Sequence, residues 1–153
     1  MLLDAPWAFS ASPESDKGLD LAFLGKALAS ETQAIFAIEA PAPDAANGQG
    51  ELVAAAGVLR QVSPKFDHRA TIWGVFVAPD SRRKGLGRAV VGAAIAWARA
   101  QPGVDYVDLG ASERAEAARR LYESLGFTAW GREPEATEVD GRRYDEIHMT
   151  LRL

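Results

Sequence analysis

The chain predicts a mixed α/β sandwich built around one sheet. Its hydrophobic pattern switches between a two-residue and a 3.6-residue repeat. The segments so defined run helix, antiparallel strands, helix, strand, helix, strands. With 153 residues and 48% hydrophobic content, the chain can bury roughly two-thirds of its extended-chain surface as one domain. Residues 1–153 are therefore read as a single domain.

Each element has its own signal. Leu21, Leu24 and Leu28 share a face of a helix expected over Asp20 to Leu28. No clear strand precedes it: Trp7 to Phe9 is left unassigned. Ala34 to Ile38 reads as a short strand, and Pro41 to Gly50 as a loop longer than a hairpin turn. Leu52 to Leu59 and Ala70 to Val77 read as the next strands. Gly74 interrupts the second of these, and a strand-interior glycine marks a bulge or a close approach. Ala78-Pro79-Asp80 is turn chemistry. Leu86, Val90, Ala93, Ala94, Trp97 and Ala98 then recur at helical spacing up to Gln101-Pro102-Gly103. Val104 to Leu109 alternates as a strand. Ser112 is the expected N-cap of a helix with Glu113 and Glu116 in its first turn and Gly126 just past its end. Thr128 to Glu133 and Tyr144 to Leu153 read as a closing hairpin.

The run from Ser81 to Arg88 is the most informative stretch. Arg82, Arg83, Lys84 and Arg88 gather at the start of a helix, the end at which the macrodipole disfavours cations. A glycine-rich helix start is also an anion site, because its first N–H groups have no acceptor. A bound phosphate or pyrophosphate reconciles the two. The run is not a Walker A loop, and Val90 stands where a dinucleotide fingerprint needs its third glycine.

Composition narrows the partners. A net charge of −4 and a pI near 5.2 argue against a general nucleic-acid binder, so the basic loop suits a small polyphosphate. Without cysteine, and with His68 and His148 as the two histidines, no metal site is expected. The opening residues lack the pattern of a signal peptide, and no apolar run reaches membrane-spanning length. The expectation is a cytoplasmic protein with no membrane partner.

Arg82-x-x-Gly85-x-Gly87 resembles the acetyl-CoA pyrophosphate loop of the GNAT acetyltransferase superfamily, Gln/Arg-x-x-Gly-x-Gly/Ala. Leu121-Tyr122-Glu123-Ser124-Leu125-Gly126-Phe127 is similar to that family's Leu-Tyr-x-x-Leu-Gly-Phe segment. The two motifs stand in the family's order and separation, and the likeness runs from about Glu51 to the C-terminus. The resemblance implies a mainly antiparallel sheet with a splayed parallel strand pair and helices on both faces. It implies acetyl-CoA as co-substrate, a small-molecule or peptide amine as acceptor, and direct transfer in a ternary complex. Arg82, Arg83, Lys84, Gly85, Leu86, Gly87 and Arg88 would hold the pyrophosphate. The main chain of Val75, Phe76 and Val77 would hold the pantetheine arm. Two alternatives stay open: an acyl-CoA-binding regulatory module with little catalysis, or an RNA-associated acetyltransferase. The reading also leaves room for a homodimer.

By the same resemblance Tyr122 is the general acid that assists thiolate departure. A phenol near 10 facing a thiol near 8.5 makes full proton transfer uphill. Tyr122 must therefore have a lowered pKa or act chiefly as a hydrogen-bond donor. Two positions depart from frequent family residues. Ala115 stands where an Asn often contacts the cofactor arm, leaving Ser112 as the nearby polar group. Thr71 stands where some members carry a Glu base. A base must then come from Glu39, Asp67, His68, Glu146, His148 or a water chain. Glu133, Glu135, Glu138 and Asp140 make the final hairpin acidic, which suits either a cationic acceptor or simple solvation.

Overall fold

β-Branched and aromatic runs line up as one six-stranded sheet in a computed structural model that describes Gly25 and residues 28–41 and 50–153. The strands are β1 (Gln33–Ala40), β2 (Glu51–Arg60), β3 (Arg69–Val77), β4 (Tyr106–Ser112), β5 (Thr128–Val139) and β6 (Arg142–Arg152). Their spatial order is β1-β2-β3-β4-β6-β5. Every neighbouring pair is antiparallel except β3 and β4. That pair is joined through α1 (Leu86–Ala100), the long crossover that a parallel connection requires. The second described helix, α2 (Glu116–Ser124), leads from β4 towards β5.

One face of the sheet makes the core. Val58, Ile72, Val107, Leu109 and Met149 pack there with Val90, Val91, Ala94 and Ile95 of α1 and with Tyr122 and Phe127 at α2. Strand alternation puts the other set on the opposite face: Thr71 and Trp73 of β3, Asp108 and Gly110 of β4, and Glu146 and His148 of β6. α1 and α2 both pack on the first face. Most of the helix expected over Asp20 to Leu28, and the segment Trp7 to Phe9, lie outside the described residues.

Three boundaries differ from the sequence reading. β4 runs from Tyr106 to Ser112, two residues later than expected. Ser112 is therefore the buried end of a strand and not a helix N-cap. Its carbonyl accepts the Ala115 N–H at 2.9 Å in a turn, and α2 starts only at Glu116. Finally, β5 continues to Val139 and meets β6 through Asp140 and Gly141, at φ 52° and 71°. This is the Asp-Gly signature of a tight hairpin turn. Acidic residues and Pro134 hide the second half of β5 from sequence, because both are depleted in strands. A wide register shift between Glu133 and Thr137 accommodates them.

Candidate active site

The sheet is split near its middle. β3 and β4 pair only from Arg69 to Thr71 against Tyr106 to Asp108. Beyond that point β3 continues to Val77 and β4 to Ser112 without pairing. The cause lies in β3. Gly74 sits at φ 61°, in a register shift against β2, and a bulge of this kind bends the strand that carries it. The closed end of the gap is pinned by Arg69, whose Nε and Nη2 each donate to Asp108 at 2.6 Å. This ion pair raises the Arg69 pKa further.

The strand edge facing the gap is open. The Ala78 N–H donates to the Val53 carbonyl at 2.8 Å, so alternation also turns the main chain of Phe76 towards β2. The main-chain groups of Val75 and Val77 turn the other way, into the gap. The Val77 carbonyl accepts from Arg82 Nε at 3.2 Å, which ties the strand's end to the basic loop.

That loop enters α1 through backbone most residues avoid. Arg83 lies at φ 62° and Gly85, the N-cap, at φ 81°. No side chain caps α1 and its first turn holds no acid. Arg82, Arg83, Lys84 and Gly85 are exposed beside this bare helix start. Gly87 brings α1 close to its neighbours: a Cβ there would lie 3.1 Å from Leu121 Cδ2 and 3.5 Å from Val77 Cγ2. Arg88 Nη2 donates to Ser124 Oγ at 2.6 Å. The basic loop, the free end of β3 and the middle of α2 thus converge at the open end of the gap.

α2 presents Tyr122 from a closed helix end. Gly126 at φ 96° lets its N–H reach the Glu123 carbonyl at 3.0 Å, and the Phe127 N–H reach that of Tyr122 at 3.1 Å. This is a Schellman cap. The Tyr122 ring is buried and meets Phe127 edge-on, with centroids 6.0 Å apart. Burial pushes its phenol up to about 12. At the other end of α2, Ala115 is the N-cap and offers no side-chain bond, while Ser112 Oγ accepts the Arg114 N–H at 3.4 Å.

The five candidate bases separate by position. Asp67 and His68 precede β3 at the closed end, where the His68 carbonyl accepts the Asp105 N–H at 2.8 Å. Glu39 lies on β1 at the sheet's edge. His148 is paired with Glu133, Nε2 to Oε2 at 3.0 Å, and stacks on the exposed Trp130 ring at 5.4 Å. Glu146 lies over β4: a Cβ on Gly110 would come within 1.5 Å of its Oε1. In the hairpin beyond, Glu135 and Glu138 both pair with Arg143. That pairing accounts for part of the hairpin's acidity without a ligand. Sequence reading missed Trp130 and the placement of Glu146 over Gly110, which depend on strand register.

The GNAT acetyltransferase family pattern matches residues 3–127. The chain belongs to the GNAT family. Among solved GNAT proteins, the acetyltransferase of GNAT family from Streptococcus pneumoniae superposes with a TM-score of 0.75 at 20% identity, covering 95% of this chain and 84% of that one. The yncA protein of Salmonella typhimurium, solved with its cofactor acetyl-CoA, is 29% identical with a TM-score of 0.60, covering 67% and 58% of the two chains. A mycothiol acetyltransferase of Thermobispora bispora is 49% identical over 59 residues, 39% of this chain and 20% of that protein. A second, from Salinispora tropica, is 44% identical over 54 residues, 35% of this chain and 18% of that protein. These matches span about a fifth of the length of the curated relatives. No described helix of this GNAT chain is long and apolar enough to cross a membrane.

Proposed function

We propose that this GNAT protein transfers an acetyl group from acetyl-CoA to a primary amine. The observation that carries the reading is the convergence, at one end of a gap in the sheet, of an uncapped, acid-free helix start, a bulged strand with an open edge, and the α2 segment that carries the buried Tyr122. The residues present fit the group. The N–H groups opening α1, with Arg82, Arg83, Lys84 and Arg88 around them, suit a pyrophosphate. Gly85 and Gly87 let the backbone come close to it, and Leu86 lies between them. Val75 and Val77 offer main-chain groups to an extended amide-bearing arm, as an added strand would take them. Phe76 lies between them with its main chain turned to β2. Ser112, at the end of β4, borders the other side of the gap.

Acetyl-CoA supplies the acetyl thioester. The Val75 or Val77 N–H, turned into the gap, is placed to stabilise the developing oxyanion. Tyr122 donates a hydrogen bond to the departing sulfur and keeps its own proton, since a phenol near 12 is too weak an acid to protonate a thiolate. Membership of the family supports an amine as the acceptor class. Spermidine N-acetyltransferase SpeG, as a chimera from Vibrio cholerae and hSSAT, shares the fold.

Calorimetric titration with acetyl-CoA tests the reading, with Gly85→Glu as the control. Gly85 sits at φ 81°, so a side chain there both strains the loop and places a negative charge on the anion site. The wild type should bind in the micromolar range and the variant, still folded by circular dichroism, should not. Absence of binding by folded wild type would remove the reading.

A further inference from the structure

We propose that Glu146 is the catalytic base, receiving the acceptor's ammonium group on the polar face of the gap; this rests on the acetyl-transfer reading above. Thr71, where a base stands in some relatives, is held by Gln61 Nε2 at 3.1 Å and carries no titratable group. Gly110 is the first β4 residue of the polar face beyond the last paired one, Asp108. It has no side chain, and the Glu146 carboxylate fills the space one would occupy. On the β3 side of the gap the Trp73 ring folds away over β2, where a Cβ on Gly57 would lie 2.2 Å from it. The carboxylate of Glu146 therefore overlies the strand at the point where the gap begins.

Its availability sets it apart. Asp108 is held by Arg69 and Glu133 by His148. Glu146 is half-buried and has no hydrogen-bond or ion-pair partner among the described residues. A carboxylate in that state gains most from an incoming cation.

The chemistry balances. A primary amine arrives as its ammonium ion and gives one proton to the Glu146 carboxylate. The neutral nitrogen bonds to the thioester carbonyl carbon as the C=O pair moves onto oxygen. That pair returns and breaks the C–S bond, and sulfur leaves with the bonding electrons. The surplus proton on nitrogen ends on sulfur, giving an amide and a free thiol. Glu146 passes its proton to water, so one proton is released per turnover.

The test uses spermidine, a peptide with an N-terminal alanine, and glucosamine as probe amines, with acetyl-CoA affinity measured in parallel. Glu146→Gln should lower kcat/KM by roughly 10²-fold, within the range of a lost general base, and leave the acetyl-CoA Kd unchanged. A positional swap separates chemistry from folding. Because the carboxylate occupies the side-chain space of residue 110, adding Gly110→Asp to Glu146→Ala should restore at least tenfold over Glu146→Ala alone. Glu146→Gln turnover within threefold of wild type overturns the assignment while leaving acetyl transfer intact. A double variant that binds acetyl-CoA normally but gains nothing overturns the placement. If the wild type binds no acetyl-CoA, or acetylates none of the probes, the assignment falls together with the reading it rests on.

Discussion

Tyr122 shows what a single residue's surroundings add to its identity. Its place in the motif is legible from Leu121 to Phe127, since the helical repeat and the closing glycine are local features. Its acidity is not, because burial comes from strands and helices far away in sequence. A thiol-matched proton donor would need its pKa lowered, and desolvation moves this one the other way, from 10 to about 12. The sign has two consequences. The folded state favours the neutral phenol, so this contribution to stability is complete below pH 10. It is lost as pH rises towards 12, amounting to roughly 3 kcal/mol over that window. In the 295 nm absorbance titration, the difference between wild type and Tyr122→Phe should therefore stay flat through pH 10 and appear only towards pH 12 or on unfolding. No described residue hydrogen-bonds the hydroxyl, so Tyr122→Phe should also cost little stability. It should lower kcat by roughly 10²-fold at an unchanged acetyl-CoA Kd. A phenol that titrates near pH 8 would instead restore proton transfer as its role.

At the scale of elements, legibility follows how local each signal is. β2, β3 and α1 lie within one or two residues of their expected bounds, because their apolar repeats are long and, Gly74 of β3 apart, continuous. The bulge expected from Gly74 is present. The start of α2 is misplaced by sequence because Ser112 has the chemistry of a cap, yet β4 extends far enough to take it. The C-terminal end of α2 matches its glycine signal, and the proposed role of Tyr122 rests on it. The Schellman cap runs through the Tyr122 carbonyl, so losing the left-handed residue loosens the turn that carries the phenol. Gly126→Ala would hold an L-residue at φ 96° and bring its Cβ within 3.2 Å of Leu151 Cδ1. The expected cost is about 1–2 kcal/mol, read as a lower urea midpoint. A fall in kcat larger than the fall in acetyl-CoA affinity should accompany it. A Gly126→Ala variant with wild-type stability would mean the cap does not hold this helix end.

Across the whole molecule, the sheet is two three-stranded halves, β1-β2-β3 and β4-β6-β5, joined at the strand level by only the short parallel pairing of β3 with β4. Neither composition nor periodicity shows this, because splaying is a relation between strands far apart in the chain. The division makes a ligand in the gap part of the sheet. Acetyl-CoA at a hundred times its Kd should stabilise the fold by about 2.7 kcal/mol, raising Tm by about 5–10 °C for a chain of this size. Hydrogen exchange locates the effect. The Val75 and Val77 amides face the gap without a strand partner and should exchange quickly in the free protein, then slow when acetyl-CoA is added. Val58 and Val107, buried in paired strands on either side of the gap, should be slow in both states. A rise in Tm without protection at Val75 and Val77 would leave the ligand on the basic loop alone, and the open edge of β3 would then have no part in binding it.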